Sequence, residues 1–202
     1  MLAAAASIAG TTAATAGAAP AGPTAADLLT AAELPAASGH WTAGAVQPGV
    51  PGGNAERCLR GVLPANRAVN RTYDSASPEP GPTRDAAWAQ QTVTLVRDQG
   101  GAQLIAKEAT QELERCAPRW ARESGASVVG KRYASLPYRD GVVVYGLLTK
   151  SPDGMEAVTL YAVGRGGRAV TALKLVHPGP ESTAPLRQFE KSARLAVERL
   201  RG

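Results

Sequence analysis

Four segments in the second half of the chain are rich in apolar and β-branched residues and are separated by turn sequences. Asp-Gly or Gly-Gly stands in each of the three turns, where hairpins need residues that tolerate a positive φ. Strands joined by consecutive hairpins pair antiparallel. We therefore predict a four-stranded antiparallel meander that begins at Val128-Val129 and continues through residues 142–148, 157–163 and 169–176.

Two longer helices are predicted on either side of this meander. Beyond the Gly-Gly pair at 100–101, apolar residues recur at three- and four-residue steps as far as Cys116, which predicts an amphipathic helix that Pro118 ends. Residues 183–200 show the same spacing, with Pro185 in the first helical turn. The apolar stripe of the first helix consists of Ala102, Ile105, Ala106, Ala109, Leu113 and Cys116.

The first half of the chain adds less regular elements. Residues 88–97 alternate polar and apolar side chains, which is typical of a strand with one wet face, and residues 41–47 predict another strand. Residues 28–38 predict a short helix because Thr30 and Glu33 have capping-box spacing. The predicted fold class is α+β: an antiparallel β-sheet of five or six strands, two longer packing helices and a short N-terminal helix.

The N-terminal stretch differs from the rest of the chain. Residues 1–26 contain 13 alanines and no charged residue. A short apolar run precedes the small-x-small sequence Ala16-Gly17-Ala18, as in a secretory leader, although a basic start is missing. A flexible linker is the alternative. We expect residues 1–26 to be the leader or low-complexity segment and residues 27–202 to form one α+β domain.

Composition and charge exclude several classes of function. The chain is 44% hydrophobic and 19% charged, as in globular proteins. Its longest apolar stretches fall short of the roughly 20 residues that span a bilayer. The formal net charge is a modest +5, and aromatic residues make up only 4% of the chain. We expect no nucleic-acid partner, because the basic residues are spread along the chain without interleaved aromatic residues.

The chain has two cysteines, Cys58 and Cys116. The two cysteines are far apart in sequence, and neither lies near a histidine. This spacing does not match that of a zinc site, so no metal site is predicted. An even number of cysteines behind an export leader indicates one disulfide formed in an oxidising compartment. Two buried thiols in a cytosolic protein are the alternative.

The sequence shows no residue pattern that is typical of a catalytic site, and we expect neither an enzyme nor a cofactor. It contains no Gly-x-Ser-x-Gly nucleophile motif. His40 follows a predicted helix end and His177 precedes a Pro-Gly-Pro sequence, both ordinary places for loop histidines. The glycine-rich residues 164–167 lie between two predicted strands, which indicates a hairpin turn and not a phosphate-binding loop.

One face of the predicted sheet carries polar and aromatic side chains. If Val158, Leu160 and Ala162 point to the core, the alternation of a strand places the residues between them on the other face. Such a surface suits hydrogen bonding to a polar or anionic ligand, and the solvated side of an antiparallel sheet is the alternative. The candidate ligand-binding residues are Thr92, Thr94, Tyr145, Thr159, Tyr161 and Lys174.

Three passages resemble the PknH-like extracellular sensor-domain family, which occurs as the outer module of some actinobacterial receptor kinases and as secreted proteins. Residues 28–34, followed by Gly39, are similar to the family's Leu-Leu-x-x-x-Glu-Leu helix that ends in glycine. Cys58 is placed like the family's first cysteine. The helix over residues 102–116, with Trp120 just beyond, is similar to the family's alanine-rich helix that ends in a Trp/Cys pair.

This resemblance implies a disulfide between Cys58 and Cys116 and a sheet with helices around a cleft. It also implies a secreted, non-enzymatic sensor-type domain that recognises an extracellular small molecule, peptide or cell-wall fragment. The chain departs from the family in lacking a second cysteine pair in the meander. A secreted enzyme or enzyme inhibitor and a structural envelope protein are the alternative functions.

Overall fold

The computed structural model describes residues 22–36, 40–52, 57–75 and 86–200. Eight strands and two α-helices occur in these residues, together with one-turn 3-10 helices. In chain order they are β1 Trp41–Ala43, β2 Gln47–Pro48, β3 Ala68–Ser75, β4 Trp88–Leu95, α1 Gln99–Ser124, β5 Ser127–Leu136, β6 Val142–Lys150, β7 Glu156–Gly166, β8 Ala169–Pro178 and α2 Leu186–Glu198. The predicted leader segment lies almost entirely outside the described residues.

All eight strands belong to one antiparallel sheet. Its order is β1-β3-β4-β8-β7-β6-β5, and β2 pairs with β3 beside β1. The predicted meander is confirmed as β5 to β8. The predicted count of five or six strands is too low for two reasons: the expected strand over residues 41–47 is divided into β1 and β2, and β3 was not predicted as a strand. Both short strands pair along the longer β3.

Helix α1 crosses the sheet from the central strand β4 to the edge strand β5. It begins at the N-cap Asp98, whose carboxylate accepts a hydrogen bond from the Gly101 N–H, and ends at Gly125 in a left-handed conformation with φ 69°. Pro118 lies inside the helix, so the prediction that it ends α1 is wrong. A proline there costs one backbone hydrogen bond. The buried Cys116 and Ala117 hold this turn against the sheet.

The two faces of the sheet carry separate cores. On the α1 face, α1 and the segment around Cys58 and Leu59 pack on Tyr161 and Val163. On the α2 face, Phe189 and Val197 of α2 belong to the other core. Val158, Leu160 and Ala162 belong to the α2-face core, as the alternation predicts. Burial of both faces gives the sheet the two-sided packing typical of a layered α+β domain.

The expected short N-terminal helix over residues 28–38 is reduced to a one-turn 3-10 helix, Ala31–Glu33, and a second one-turn 3-10 helix, Ala25–Asp27, lies just before the expected range. The capping box is present, since the Thr30 N–H donates to Glu33 Oε2 at 2.7 Å. Residues 37 and 38 of the expected helix lie outside the described residues. Tertiary hydrogen bonds fix this segment: Tyr73 Oη donates to the Leu29 carbonyl at 2.8 Å, and Leu29 N–H donates to a glutamine side chain of β4.

An ion pair joins this N-terminal segment to the end of α2. Glu33 Oε1 lies 2.7 Å from Arg199 Nη2, and the Arg199 Nη1 donates to the Ala26 carbonyl at 3.3 Å. Burial raises the pKa of Glu33, but the hydrogen bonds from Arg199 and Thr30 outweigh it, and the pKa is lowered overall. The ionised form of Glu33 is therefore favoured in the folded protein.

We expect this pair to make the stability depend on pH in the acid range. A carboxyl whose pKa is lower in the folded protein stabilises it above the unfolded pKa, about 4.3 for Glu, and this stabilisation is lost as pH falls through the folded pKa. Glu33→Gln should lower the free energy of unfolding at pH 7 by about 1 kcal/mol or less and have a smaller effect at pH 3. Urea unfolding at both pH values measures this.

The matched control for Glu33→Gln is Glu108→Gln, which removes an exposed carboxylate from α1. It should leave the difference in unfolding free energy between pH 7 and pH 3 close to that of the wild type. An equal effect of both substitutions would show that net charge, and not the pair with Arg199, controls the acid sensitivity.

Candidate functional site

The six residues that the sequence suggests as a ligand-binding face lie on the α1 face of the sheet. Cross-strand register places Tyr145 beside Tyr161, and Tyr161 beside Lys174. The side chains are buried and not exposed as a wet surface: Lys174 is 5% and Tyr145 6% exposed, and the others are at 2% or less. The reason is that α1 returns over this face to reach β5 and that residues 58–64 pack on the same face. Their role in ligand binding stays a prediction.

Within this buried row, aromatic rings accommodate the Lys174 ammonium. Its Nζ lies 4.6 Å from the centroid of the Trp88 ring and 5.6 Å from that of Tyr161. Cation–π attraction of this kind offsets part of the loss of hydration of a buried cation. Thr94 has a structural contact, since its hydroxyl donates to the Pro64 carbonyl at 2.9 Å. The Thr94 hydrogen bond joins the sheet to the chain that leads into β3.

A cavity of about 510 Å³ lies between the first turns of α1 and the sheet. We call it the α1 cleft. Helix α1 contributes Ala106 and Thr110 to one wall, and the opposite wall includes Val143 of β6 and Val163 of β7. The residues between β5 and β6, including Pro137, close one end. Its size and largely apolar walls are those of a small-molecule site.

Charged side chains stand among these apolar walls. Arg165 Nη1 lies 3.3 Å from Asp140 Oδ2, and the two side chains are 17% and 29% exposed. Asp140 Oδ2 also accepts a hydrogen bond from the Gly167 N–H at 3.1 Å. The Arg165 Nη1 atom makes no hydrogen bond within the described ranges, so it pairs with Asp140 by charge alone. A guanidinium has five N–H donors, and the Asp140 carboxylate does not use all of those of Arg165. The remaining N–H groups can donate to an acceptor atom of a ligand.

The turn that bounds the cleft is fixed from the other side of the sheet. Arg139 has a left-handed backbone with φ 48°, and its Nη1 donates to the carbonyls of Val197 and Leu200 at 3.3 and 3.0 Å. These carbonyls belong to the end of α2 and the residues that follow it. Gly141, with φ 102°, completes the turn. The rim of the cleft is thereby attached to both α2 and the β7–β8 turn.

A smaller cavity of about 230 Å³ lies at the opposite end of the meander and includes Glu181 in its lining. That carboxylate already has partners, because Lys131 Nζ donates to Glu181 Oε1 at 2.5 Å and Tyr133 Oη donates to it at 2.8 Å. The hydrogen bonds from Lys131 and Tyr133 lower the pKa of Glu181. This cavity therefore offers less binding capacity than the α1 cleft.

The histidines do not form part of the α1 cleft. His177 is partly buried, its Nε2 lies 3.1 Å from Thr183 Oγ1, and burial lowers its pKa. His40 is exposed just before β1. Nowhere in the described parts of the chain do three histidine, cysteine or acidic side chains gather into a metal-binding group.

Cys58 and Cys116 form the disulfide, with their Cα atoms 5.4 Å apart. The bond joins the segment before β3 to the middle of α1, so the disulfide that the sequence indicates is confirmed. Both residues are at 1% exposure or less. The bond therefore holds α1 on the sheet from within the core of the α1 face.

The fold and this cleft define an α+β domain in which a crossover helix and an antiparallel sheet form the two walls of an open cleft. No family model and no curated protein matches the chain. Among solved structures, the chain is similar to the extracellular domain of PknH from Mycobacterium tuberculosis, with a TM-score of 0.50 and 10% sequence identity. The similarity covers 79% of this chain and 84% of that chain. At this identity it establishes a shared fold.

None of the helices in the described ranges has the length and apolar character needed to cross a membrane.

Proposed function

We propose that the chain is an extracytoplasmic, non-enzymatic binding domain of the sensor type. Two independent observations support the location: a buried disulfide, which is typical of oxidising compartments, and a fold shared with the extracellular domain of PknH. In this proposal residues 1–26 act as an export leader and residues 27–202 form the binding domain.

The α1 cleft is the observation that carries the binding role. A cavity of about 510 Å³ has room for a small molecule or for a short part of a peptide or cell-wall fragment. The apolar wall formed by Ala106, Val143 and Val163 suits an aliphatic or ring portion of the ligand. Arg165 and Asp140 then orient a polar group of the ligand, and Arg165 favours an anionic or carbonyl oxygen.

The test is a substitution that fills the cleft. Ala106→Trp places a large ring where the cleft has a methyl group, so a ligand that occupies the cleft should no longer raise the melting temperature. Thermal-shift measurements against muropeptides and a panel of small metabolites detect such ligands. A ligand that binds only the folded state stabilises it by about 2.7 kcal/mol at one hundred times its Kd.

Leu104→Trp is the matched control, because Leu104 lies on the same helix and its side chain is 64% exposed. This variant should keep the ligand-induced shift of the wild type. The proposal fails if no compound in either panel shifts the wild type. It also fails if Leu104→Trp loses as much of the shift as Ala106→Trp.

A further inference from the structure

Aliphatic side chains form much of the surface of the α1 cleft. Val143 and Val163 are cross-strand partners, so their side chains share the face of the sheet that α1 covers. Thr110 lies on the α1 wall, but its hydroxyl donates to the Ala106 carbonyl at 2.9 Å and is satisfied within the helix. The aliphatic lining residues are Ala106, Leu136, Pro137, Val142, Val143 and Val163. Such walls contact a saturated chain without requiring hydrogen bonds from it.

The sheet wall of the cleft extends over three neighbouring strands. Val163 of β7 is 2% exposed, Val143 of β6 is half-buried, and its partner in β5, Ser135, is exposed. Neighbouring strands are about 4.8 Å apart, so the row spans about 10 Å. Because β5 is the edge strand, the wall ends at Ser135. A chain that extends past this residue gains no further contact with the sheet.

A cation lies beside the buried part of this wall. Arg165 follows Val163 by two residues in β7, so both side chains are on the same face with their backbones about 7 Å apart. The guanidinium pairs with Asp140 and retains N–H groups that can donate to a ligand. An anionic group bound to Arg165 would therefore have an aliphatic surface next to it.

A second cation lies on the opposite wall. Lys107 of α1 is exposed and lines the cleft. The positions three and four residues away hold Gln103, Leu104, Thr110 and Gln111, so no acidic residue stands where a helix would pair it with Lys107. The ion pairs that α1 forms within the described ranges all involve arginine side chains. The Lys107 ammonium can therefore contact a ligand from the α1 wall.

We propose that the ligand of the α1 cleft is an alkyl carboxylate, a saturated chain that ends in one carboxylate group. This inference rests on the proposed function, since it assigns a ligand class to the same cleft. Arg165 donates charge-assisted hydrogen bonds to the carboxylate, and Lys107 adds a point charge from the facing wall. The chain then covers Val163 and Val143.

Two ligands of equal chain length but different headgroup are less suited to this arrangement. A neutral alcohol makes the same apolar contacts without the charge-assisted hydrogen bonds. An alkylammonium ion carries the same charge as Arg165 and Lys107, and it must compete with Arg165 for Asp140. The headgroup therefore distinguishes the proposal from simple adsorption of an apolar chain.

Isothermal titration of the full chain with sodium octanoate, octan-1-ol and octylammonium chloride tests the headgroup. Octanoate should bind at least about tenfold more tightly than octan-1-ol, as expected for hydrogen bonds to charged groups. Octylammonium should bind more weakly than octan-1-ol.

A series of carboxylates tests the chain. From hexanoate to octanoate, each added methylene should tighten binding by about twofold to fourfold, because complete burial of one methylene corresponds to about fourfold. The gain should become smaller in longer homologues, since the wall ends at Ser135.

Substitutions and one spectrum locate the site. Lys107→Gln should weaken octanoate binding at least about threefold and affect octan-1-ol binding less. Lys191→Gln removes the same charge from an exposed position on α2, and it should leave octanoate binding within about twofold of the wild type. In the wild type, octanoate should shift the amide signals of Ala106 and Val163 but not that of Val129 in the smaller cavity, which does not depend on any variant folding.

Four outcomes would overturn this inference. They are the absence of octanoate binding in the millimolar range, octan-1-ol or octylammonium binding as tightly as octanoate, unshifted Ala106 and Val163 signals, and equal losses in Lys107→Gln and Lys191→Gln. If octanoate does not bind while Ala106→Trp still abolishes the melting-temperature shift of another compound, the ligand class is wrong and the proposed function stands.

Discussion

Replacing Cys58 and Cys116 together with alanine should lower the free energy of unfolding by about 4 kcal/mol. The bond closes a loop with a sequence separation of 58, and chain-entropy theory gives about 4 kcal/mol for a loop of that length. For a domain of this size the melting temperature should fall by roughly 10 °C. Urea unfolding and calorimetry of the wild type and the double variant measure both quantities.

Reductant provides the control for this prediction. Complete reduction should lower the melting temperature of the wild type by a similar amount and leave the double variant unchanged, because only the wild type has a bond to break. Thiol titration confirms that reduction is complete. A fully reduced wild type that melts at its original temperature would contradict the stabilising role of the disulfide.

Phe189→Ala should destabilise the protein by about 3 to 5 kcal/mol, the usual cost of removing a buried phenyl ring and leaving a cavity. Phe189 is the only phenylalanine of the chain, its exposure is 0%, and it belongs to the core between α2 and the sheet. Small aliphatic side chains such as Ala162, Ala193 and Ala196 occur in the same core. Alanine side chains cannot change rotamer to fill the cavity that the missing phenyl ring would leave.

Lys191→Ala is the matched control, because Lys191 lies two residues further along α2 on its exposed side. It should change the free energy of unfolding by no more than about 0.5 kcal/mol. Chemical unfolding at neutral pH measures both variants. Similar values for Phe189→Ala and Lys191→Ala would mean that α2 contributes little to the core.

The meander and both long helices could be predicted from the sequence because their signals are local. A hairpin turn and the two strands beside it are contiguous, and an amphipathic helix shows its period within a few turns. The strands β1 and β2 were harder to predict, since two or three residues carry little pattern. Their pairing depends on β3, which lies more than twenty residues further along the chain.

The interior of α1 shows where tertiary structure outweighs a local signal. Pro118 is a strong helix terminator in isolation. In the fold, the disulfide at Cys116 and the buried Ala117 keep that turn against the sheet, and α1 continues to Ser124. The same crossover, together with residues 58–64, buries the polar face that the sequence suggested as a binding surface.

The α1 cleft could be predicted only in part. Ala106 and Val143 meet because α1 crosses the sheet, and nothing in their sequence neighbourhoods indicates that contact. Arg165 carries a usable signal, since it is the only cation of β7 and follows a mainly apolar run. Asp140 was visible as a turn residue, but its hydrogen bond to the β7–β8 turn required the three-dimensional structure.

The contact between Arg199 and the N-terminal segment determines where the domain can be fused to a partner or immobilised. Arg199 bonds to Ala26 and Glu33, so the first and last described segments are neighbours on the α2 face. The α1 cleft opens on the opposite side of the sheet. A fusion partner, a bead or a surface linked near either segment would therefore lie on the α2 side of the sheet, opposite the wall of the cleft that α1 forms.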